Sequence, residues 1–165
     1  MDLSNNYDLI GDIHGCCRTL EVLLDKLGYR QQNGVFQHPD RKVIFLGDFV
    51  DRGDYQREVV QVARSMVEGG HARSVMGNHE FNAIAYATLK SDQSDHLRPR
   101  TKKNHKQHHK FLETYANDPE GYEDAIQWFK TLPLWLELDG IRVIHACWDQ
   151  PSIVTVSRLN MVGIC

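Results

Sequence analysis

Short apolar runs alternate with apolar stripes at helical spacing through the first half of the chain. Tyr7-Asp8-Leu9-Ile10 predicts a strand that ends at Gly11. Cys17, Leu20, Leu24 and Leu27, widened by Leu23, predict a helix stopped by Gly28. Val43-Ile44-Phe45-Leu46 is apolar throughout, the pattern of a strand covered on both faces. Val59, Val62, Ala63, Met66 and Val67 give a second helical stripe, closed by Gly69-Gly70. Ala72 to Met76 supplies a third strand and Phe81 to Leu89 a third helix. This strand–helix alternation predicts a layered α/β core. Further on, Leu134 to Leu138 and Ile141 to Ile144 flank Asp139-Gly140 and predict a hairpin.

Residues 91–127 break the pattern. Arg98 to Lys110 holds six Lys or Arg, three histidines and no carboxylate, whereas Glu113 to Asp124 holds five carboxylates. The segment reads as a helical lid or polar insertion, or as a charged linker. Its basic part either steers an anionic substrate to a site or forms a solvated helix face. The rest of the composition is that of a globular protein, 41% hydrophobic and 25% charged. At 165 residues it fits a single domain over 1–165. A net charge of −3 gives no whole-molecule attraction to nucleic acid, and no apolar run is long enough for a membrane span. Cys16, Cys17, Cys147 and Cys165 form no zinc spacing and read as reduced thiols of a cytoplasmic protein.

The chemistry sits where the strands end. Three predicted strands run into Gly11-Asp12-Ile13-His14-Gly15, Gly47-Asp48-Phe49-Val50-Asp51-Arg52-Gly53 and Gly77-Asn78-His79-Glu80, and a fourth runs into His145. In an α/β sheet the carboxyl ends of neighbouring strands converge on one edge, so side chains remote in sequence can surround one small volume. Glycine lets the backbone turn tightly before each ligand. Asp oxygen, His nitrogen and Asn carbonyl oxygen form a mixed donor set suited to divalent ions such as Mn, Fe or Zn. His38, His71, His96, His105, His108 and His109 lie outside these clusters and read as solvated or locally paired.

GDIHG at 11–15, GDFVDRG at 47–53, GNHE at 77–80 and IHAC at 144–147 together resemble the calcineurin-like metallophosphoesterases, in particular the phosphoprotein phosphatase branch and its bacterial relatives. The resemblance covers about residues 7–150 and implies an α/β fold, the layered αββα sandwich. It implies two divalent metal ions, Mn foremost, with Fe, Zn, Ni, Co or Mg also compatible. Asp12, His14 and Asp48 would hold one, and Asp48, Asn78 and His145 the other. A carboxylate can span two cations about 3.5–4 Å apart, and such a pair acidifies a bridging water into a hydroxide nucleophile. Arg52 and Asn78 would bind the substrate phosphate, His79 would protonate the leaving oxygen with Asp51 orienting it, and Glu80 would support the ligands from behind.

Members of this family carry a further histidine ligand, and often a second phosphate-binding arginine, downstream of the position matched by His145. Here Ser152 to Cys165 contains no histidine, and Arg158 is its one arginine. The expectation is therefore a domain incomplete at its C-terminus, only the N-terminal portion of the sandwich, with a second metal held weakly and a face exposed for self-association. A short variant completed by water, another side chain or a partner is the other reading. The function implied is hydrolysis of phosphoserine or phosphothreonine in a phosphorylated protein, or of a small phosphomonoester. A dinucleoside polyphosphate hydrolase is the alternative, and a catalytically impaired metal-binding interaction protein the third.

Overall fold

The computed structural model describes residues 6–138 and 140–161; Asp139 of the predicted turn and Cys165 lie outside the described residues. Strands β1 (Tyr7–Ile10), β4 (Lys42–Phe45) and β5 (Ala72–Ser74) form a parallel sheet in the order β1-β4-β5. The pairing sets Ile10 beside Phe45 and Phe45 beside Ser74. All three strands therefore end on the same edge.

Alternation along β4 decides what covers each face. Val43 and Phe45 point into the main core with Ile10, Leu20, Leu24, Val59, Ala63 and Met66. These last five come from helices α1 (Cys17–Lys26) and α2 (Gln56–Glu68); of the stripes read from sequence, Cys17, Leu20, Leu24, Val59, Ala63 and Met66 are buried, whereas Leu23 is exposed. Ile44 points the other way and packs with Val75 and Val143. Val143 belongs to β7 (Ile141–Ile144), which pairs antiparallel with β6 (Trp135–Leu138) as the hairpin pattern predicts. Both β layers of a sandwich thus form within this chain. Leu9, on the face of Ile44, stays 55% exposed.

The long polar segment contributes more than a surface excursion. Thr101 caps α4 (Lys102–Thr114) by accepting from the Asn104 N–H, and Asp118 caps α5 (Pro119–Thr131) by accepting from the Gly121 N–H. Phe111 from α4 and Ile126, Trp128 and Phe129 from α5 enter the main core. Helix α3 runs over Asn78–Ala87, so the third motif is itself the first turn of a helix rather than a loop before it. A hairpin absent from the sequence reading joins β2 (Arg30–Gln32) to β3 (Val35–Gln37). Asn33 and Gly34, with φ of 53° and 83°, make its turn. Helix α6 (Gln150–Met161) follows β7. No described helix is long and apolar enough to cross a membrane.

Two glycine contacts let the strand-end loops lie backbone on backbone. A Cβ on Gly47 would overlap the backbone of Gly77, and one on Gly77 would overlap the amide and carboxylate of Asp48. A methyl group cannot be accommodated there without separating the two loops. Gly77→Ala should therefore cost about 2–4 kcal/mol of stability in denaturant unfolding. A loss under about 0.5 kcal/mol would show that the loops do not touch as described.

Candidate metal centre

The edge where β1, β4 and β5 end carries three of the sequence clusters, and β7 delivers the fourth, His145, to the same place. Two groups of metal-capable atoms form, Asp12 with Asp48 and His145, and His14 with Asp48 and His79; within each, the donor atoms lie within 4.8 Å of one another. Asp48 is common to both. Its Oδ1 is 3.6 Å from His145 Nε2, and its Oδ2 is 3.6 Å from His14 Nε2 and 3.9 Å from His79 Nε2. Asp12 and His145 thus lie on one side of Asp48, and His14 and His79 on the other.

The tautomers are fixed by backbone carbonyls. His14 donates from Nδ1 to the Val50 carbonyl at 2.9 Å, and His145 donates from Nδ1 to the Leu46 carbonyl at 2.7 Å. Both rings then turn Nε2 toward the cluster. His145 Nε2 stands 3.0 Å from Asn78 Oδ1, so an imidazole nitrogen and an amide oxygen converge on one volume. Imidazole nitrogens, carboxylate oxygens and an amide oxygen that converge in this way are the donor set of a cation site. The residues present therefore fit divalent cations, with Asp48 in the position that serves two.

Holding acceptors this close requires unusual backbone. Asp12, His14, Asp48, Asp51 and Arg52 all have φ between 48° and 74°, a region that side-chain-bearing residues rarely enter. Glu80 offsets that cost. Wholly buried on α3, its carboxylate accepts from the backbone N–H groups of Asp48 and Phe49 at 2.8 Å and of Gly77 at 3.0 Å. Burial pushes the Glu80 carboxyl above its usual range, against the three N–H donors, which favour the charged form. The loops are also tied directly, His14 N–H to the Asp48 carbonyl at 2.8 Å and Gly53 N–H to the His14 carbonyl at 2.7 Å.

Asp51 is buried and shared by two histidines. Its Oδ2 accepts from His79 Nδ1 at 2.7 Å and its Oδ1 from His108 Nδ1 at 3.1 Å. Burial alone would raise the Asp51 carboxyl, but the hydrogen bonds from His108 and His79 hold it below the usual range. The bond to Asp51 raises His79 above an ordinary imidazole, against burial. His108 corrects the sequence reading, which set it among solvated or locally paired histidines; it is 3% exposed. The signal was available: His108 and Phe111 lie at helical spacing on the buried face of α4, in line with Tyr115 just past its end. Gln56, fully buried, was also missed. It accepts from the Asp51 N–H at 2.6 Å and donates to the Gly53 carbonyl at 2.5 Å, fixing the loop that carries Arg52. Arg52 and Asn78 are exposed and line the cleft beside the cluster.

This fold and this paired donor set define a metallophosphatase-type enzyme. A profile described as calcineurin-like phosphoesterase matches residues 7–162, and the chain belongs to that family. The match corrects the expectation that only the N-terminal portion of the sandwich is present: it runs through both β layers and α6, almost the whole chain. Among curated proteins, bis(5'-nucleosyl)-tetraphosphatase PrpE of Oceanobacillus iheyensis is 32% identical over 159 residues, covering 84% of this chain and 54% of that protein. The protein of the same description from Geobacillus sp. (strain WCH70) is 34% identical over 145 residues, covering 84% and 55%. The chain thus spans about half the length of these relatives. A solved cold-active protein tyrosine phosphatase shares the fold with a TM-score of 0.59 at 21% identity, over 92% of this chain and 45% of that one.

Two outcomes are expected. Glu80→Gln keeps one acceptor oxygen where two served three backbone donors, so metal-free protein should lose about 1–3 kcal/mol. Unfolding of the variant within about 0.5 kcal/mol of the unaltered protein would contradict the bracing role. The second concerns pH. The depressed Asp51 value contributes stability that is fully present above its unfolded-state pKa of about 4 and is lost as pH falls through its folded value. The raised His79 value contributes stability that is fully present below its unfolded-state pKa of about 6.5 and is lost as pH rises through its folded value. Without metal, the stability gap between the unaltered protein and Asp51→Asn should therefore be widest between about pH 4 and 6.5. Denaturant unfolding from pH 3 to 9 measures it, and a gap independent of pH would contradict the pairing.

Proposed function

We propose that the chain is a metal-dependent hydrolase of phosphoanhydrides in dinucleoside polyphosphates. The observation that carries this reading is the basic cleft between α4 and the metal centre, joined to a likeness to proteins named for bis(5'-nucleosyl)-tetraphosphate hydrolysis. A phosphomonoester needs one phosphate site, whereas cations continuing past that site suit a chain of phosphates. Phe81, 59% exposed on α3 one turn from Asn78, offers a flat apolar surface on which a nucleobase can stack. Hydrolysis of phosphoserine or phosphothreonine in protein, the reading favoured by the motifs alone, becomes the second choice.

Asp12, His14, Asp48, Asn78 and His145 are assigned to two divalent cations, manganese foremost, in a cytoplasmic protein of one domain. The cations, when bound, offset charge on the phosphoryl oxygens and acidify water. Arg52 grips the phosphate under attack, its planar guanidinium matched to two oxygens. Asn78, with its amide beside the same volume, binds that phosphate too. His79, its Nδ1 anchored on Asp51, presents Nε2 to the leaving oxygen and supplies the proton that prevents an oxyanion from departing unprotonated. Because a nucleotide phosphate is a better leaving group than an alkoxide, the anhydride depends less on that proton.

Manganese-loaded protein offered diadenosine tetraphosphate, a phosphoserine peptide and p-nitrophenyl phosphate should turn over the dinucleotide with a kcat/KM at least tenfold the highest of the others. Turnover confined to the peptide would give the second reading precedence. Activity on every substrate no greater than that of Asp48→Asn would favour a metal-binding interaction protein without catalysis. His79→Ala should slow p-nitrophenyl phosphate at least tenfold less than it slows a simple alkyl phosphate. Equal slowing would remove His79 from the role of acid.

A further inference from the structure

The cleft beside the metal centre has a volume of about 360 Å³, enough for a small polar ligand. Arg52 and Asp51 line it from the loop after β4, and Arg98, Lys106, His108 and His109 from the segment that leads into and forms α4. Asp51, the sole carboxylate in the lining, is already engaged by His79 and His108. Among the described residues, Arg52, Arg98 and Lys106 form no ion pair with a carboxylate, whereas Arg57, Arg64 and Lys110 nearby all do. Arg98 is instead steered by neutral groups, Asn82 Oδ1 and, at 2.8 Å, Gln107 Oε1. The cleft thus gathers positive charge that the protein itself leaves uncompensated.

A second observation points to a ligand. Two buried side-chain polar atoms among the described residues lack a hydrogen-bond partner, Arg98 Nε and His108 Nε2. Both residues line this cleft. Arg98 Nε always carries a proton, so it is a donor held beside the cleft without an acceptor, while the His108 ring is fixed by its bond from Nδ1 to Asp51. Buried polar atoms are normally paired, and those that are not mark a site where something else pairs them. Phosphate oxygens, each able to accept more than one hydrogen bond from guanidinium or ammonium, match the set.

We infer that the α4 cleft is a polyphosphate subsite, which binds the phosphates beyond the one attacked and so selects phosphate chains over monoesters. This inference rests on the phosphoanhydride reading above for its biological substrate, though the binding property can be measured alone. The basic run at 98–110 is then neither a solvated face nor a remote steering patch but a wall of the substrate site.

The test separates the two claims. Metal-free protein, kept so with a chelator, is titrated calorimetrically with inorganic tripolyphosphate and with orthophosphate. The unaltered chain should bind tripolyphosphate at least tenfold more tightly. Lys106→Gln combined with His109→Gln, both outside the core, should cut that preference below threefold, and Lys130→Gln on α5, away from the cleft, should leave it intact. The same proteins loaded with manganese are then assayed on diadenosine tetraphosphate and p-nitrophenyl phosphate. The double variant should lose at least tenfold more kcat/KM on the dinucleotide than on the aryl ester. No tripolyphosphate preference in the unaltered chain, or a preference that survives the double variant, overturns the subsite. Preference without dinucleotide turnover upholds the subsite and overturns the functional reading instead.

Discussion

The carboxylate of Glu80 is the constraint on which the site depends. From the first turn of α3 it receives the amides of Asp48 and Phe49 on one loop and of Gly77 on another. Those two loops approach so closely that only glycine fits at Gly47 and Gly77. With the loops locked, Asp48 projects into the centre of the cluster, where His14, His79 and His145 converge on it. A flexible loop could not hold acceptors at such separations, because each repels the next and gains more from water. The fold supplies the opposing force through buried hydrogen bonds in a place that water cannot reach.

The same logic extends outwards. Five site residues hold left-handed backbone conformations at an order of about 1–3 kcal/mol each, which persist because the surroundings over-determine them. Gln56 fixes the Asp51 loop from below, and Asp51 fixes the rings of His79 and His108. Support therefore runs from core to loop to reacting group. Helix α4 belongs to this chain of support: Phe111 anchors it in the core and His108, one turn earlier, reaches the site. A lid that merely closed over substrate would not need that anchoring.

Much of this was legible in the sequence. The parallel strands, the helices between them and the β6–β7 hairpin announce themselves through periodicity, and the clusters at strand ends announce a site because a parallel sheet must bring them together. What escaped was of a different kind. His108 lies far from every motif, and its role depends on α4 folding back over the edge of the sheet, which local pattern does not encode. Gln56 gives no signal by residue type. The β2–β3 hairpin carried an Asn33-Gly34 turn signal, but its strands are three residues each and polar enough to hide beside it. The closeness of the His79 and His14 rings, 4.7 Å between centroids, is likewise set by tertiary packing and not by local pattern. The substrate was the least legible feature, since the metal-site motifs are shared by ester and anhydride chemistry and the choice is made by the walls.

Asp48 lies within reach of both donor groups, the position of a carboxylate shared by two cations. Crystals grown with saturating manganese and measured at the manganese absorption edge test it most directly. Two anomalous peaks sharing Asp48 are expected, one bounded by His145 and the other by His14. A single peak, or none touching Asp48, would contradict it.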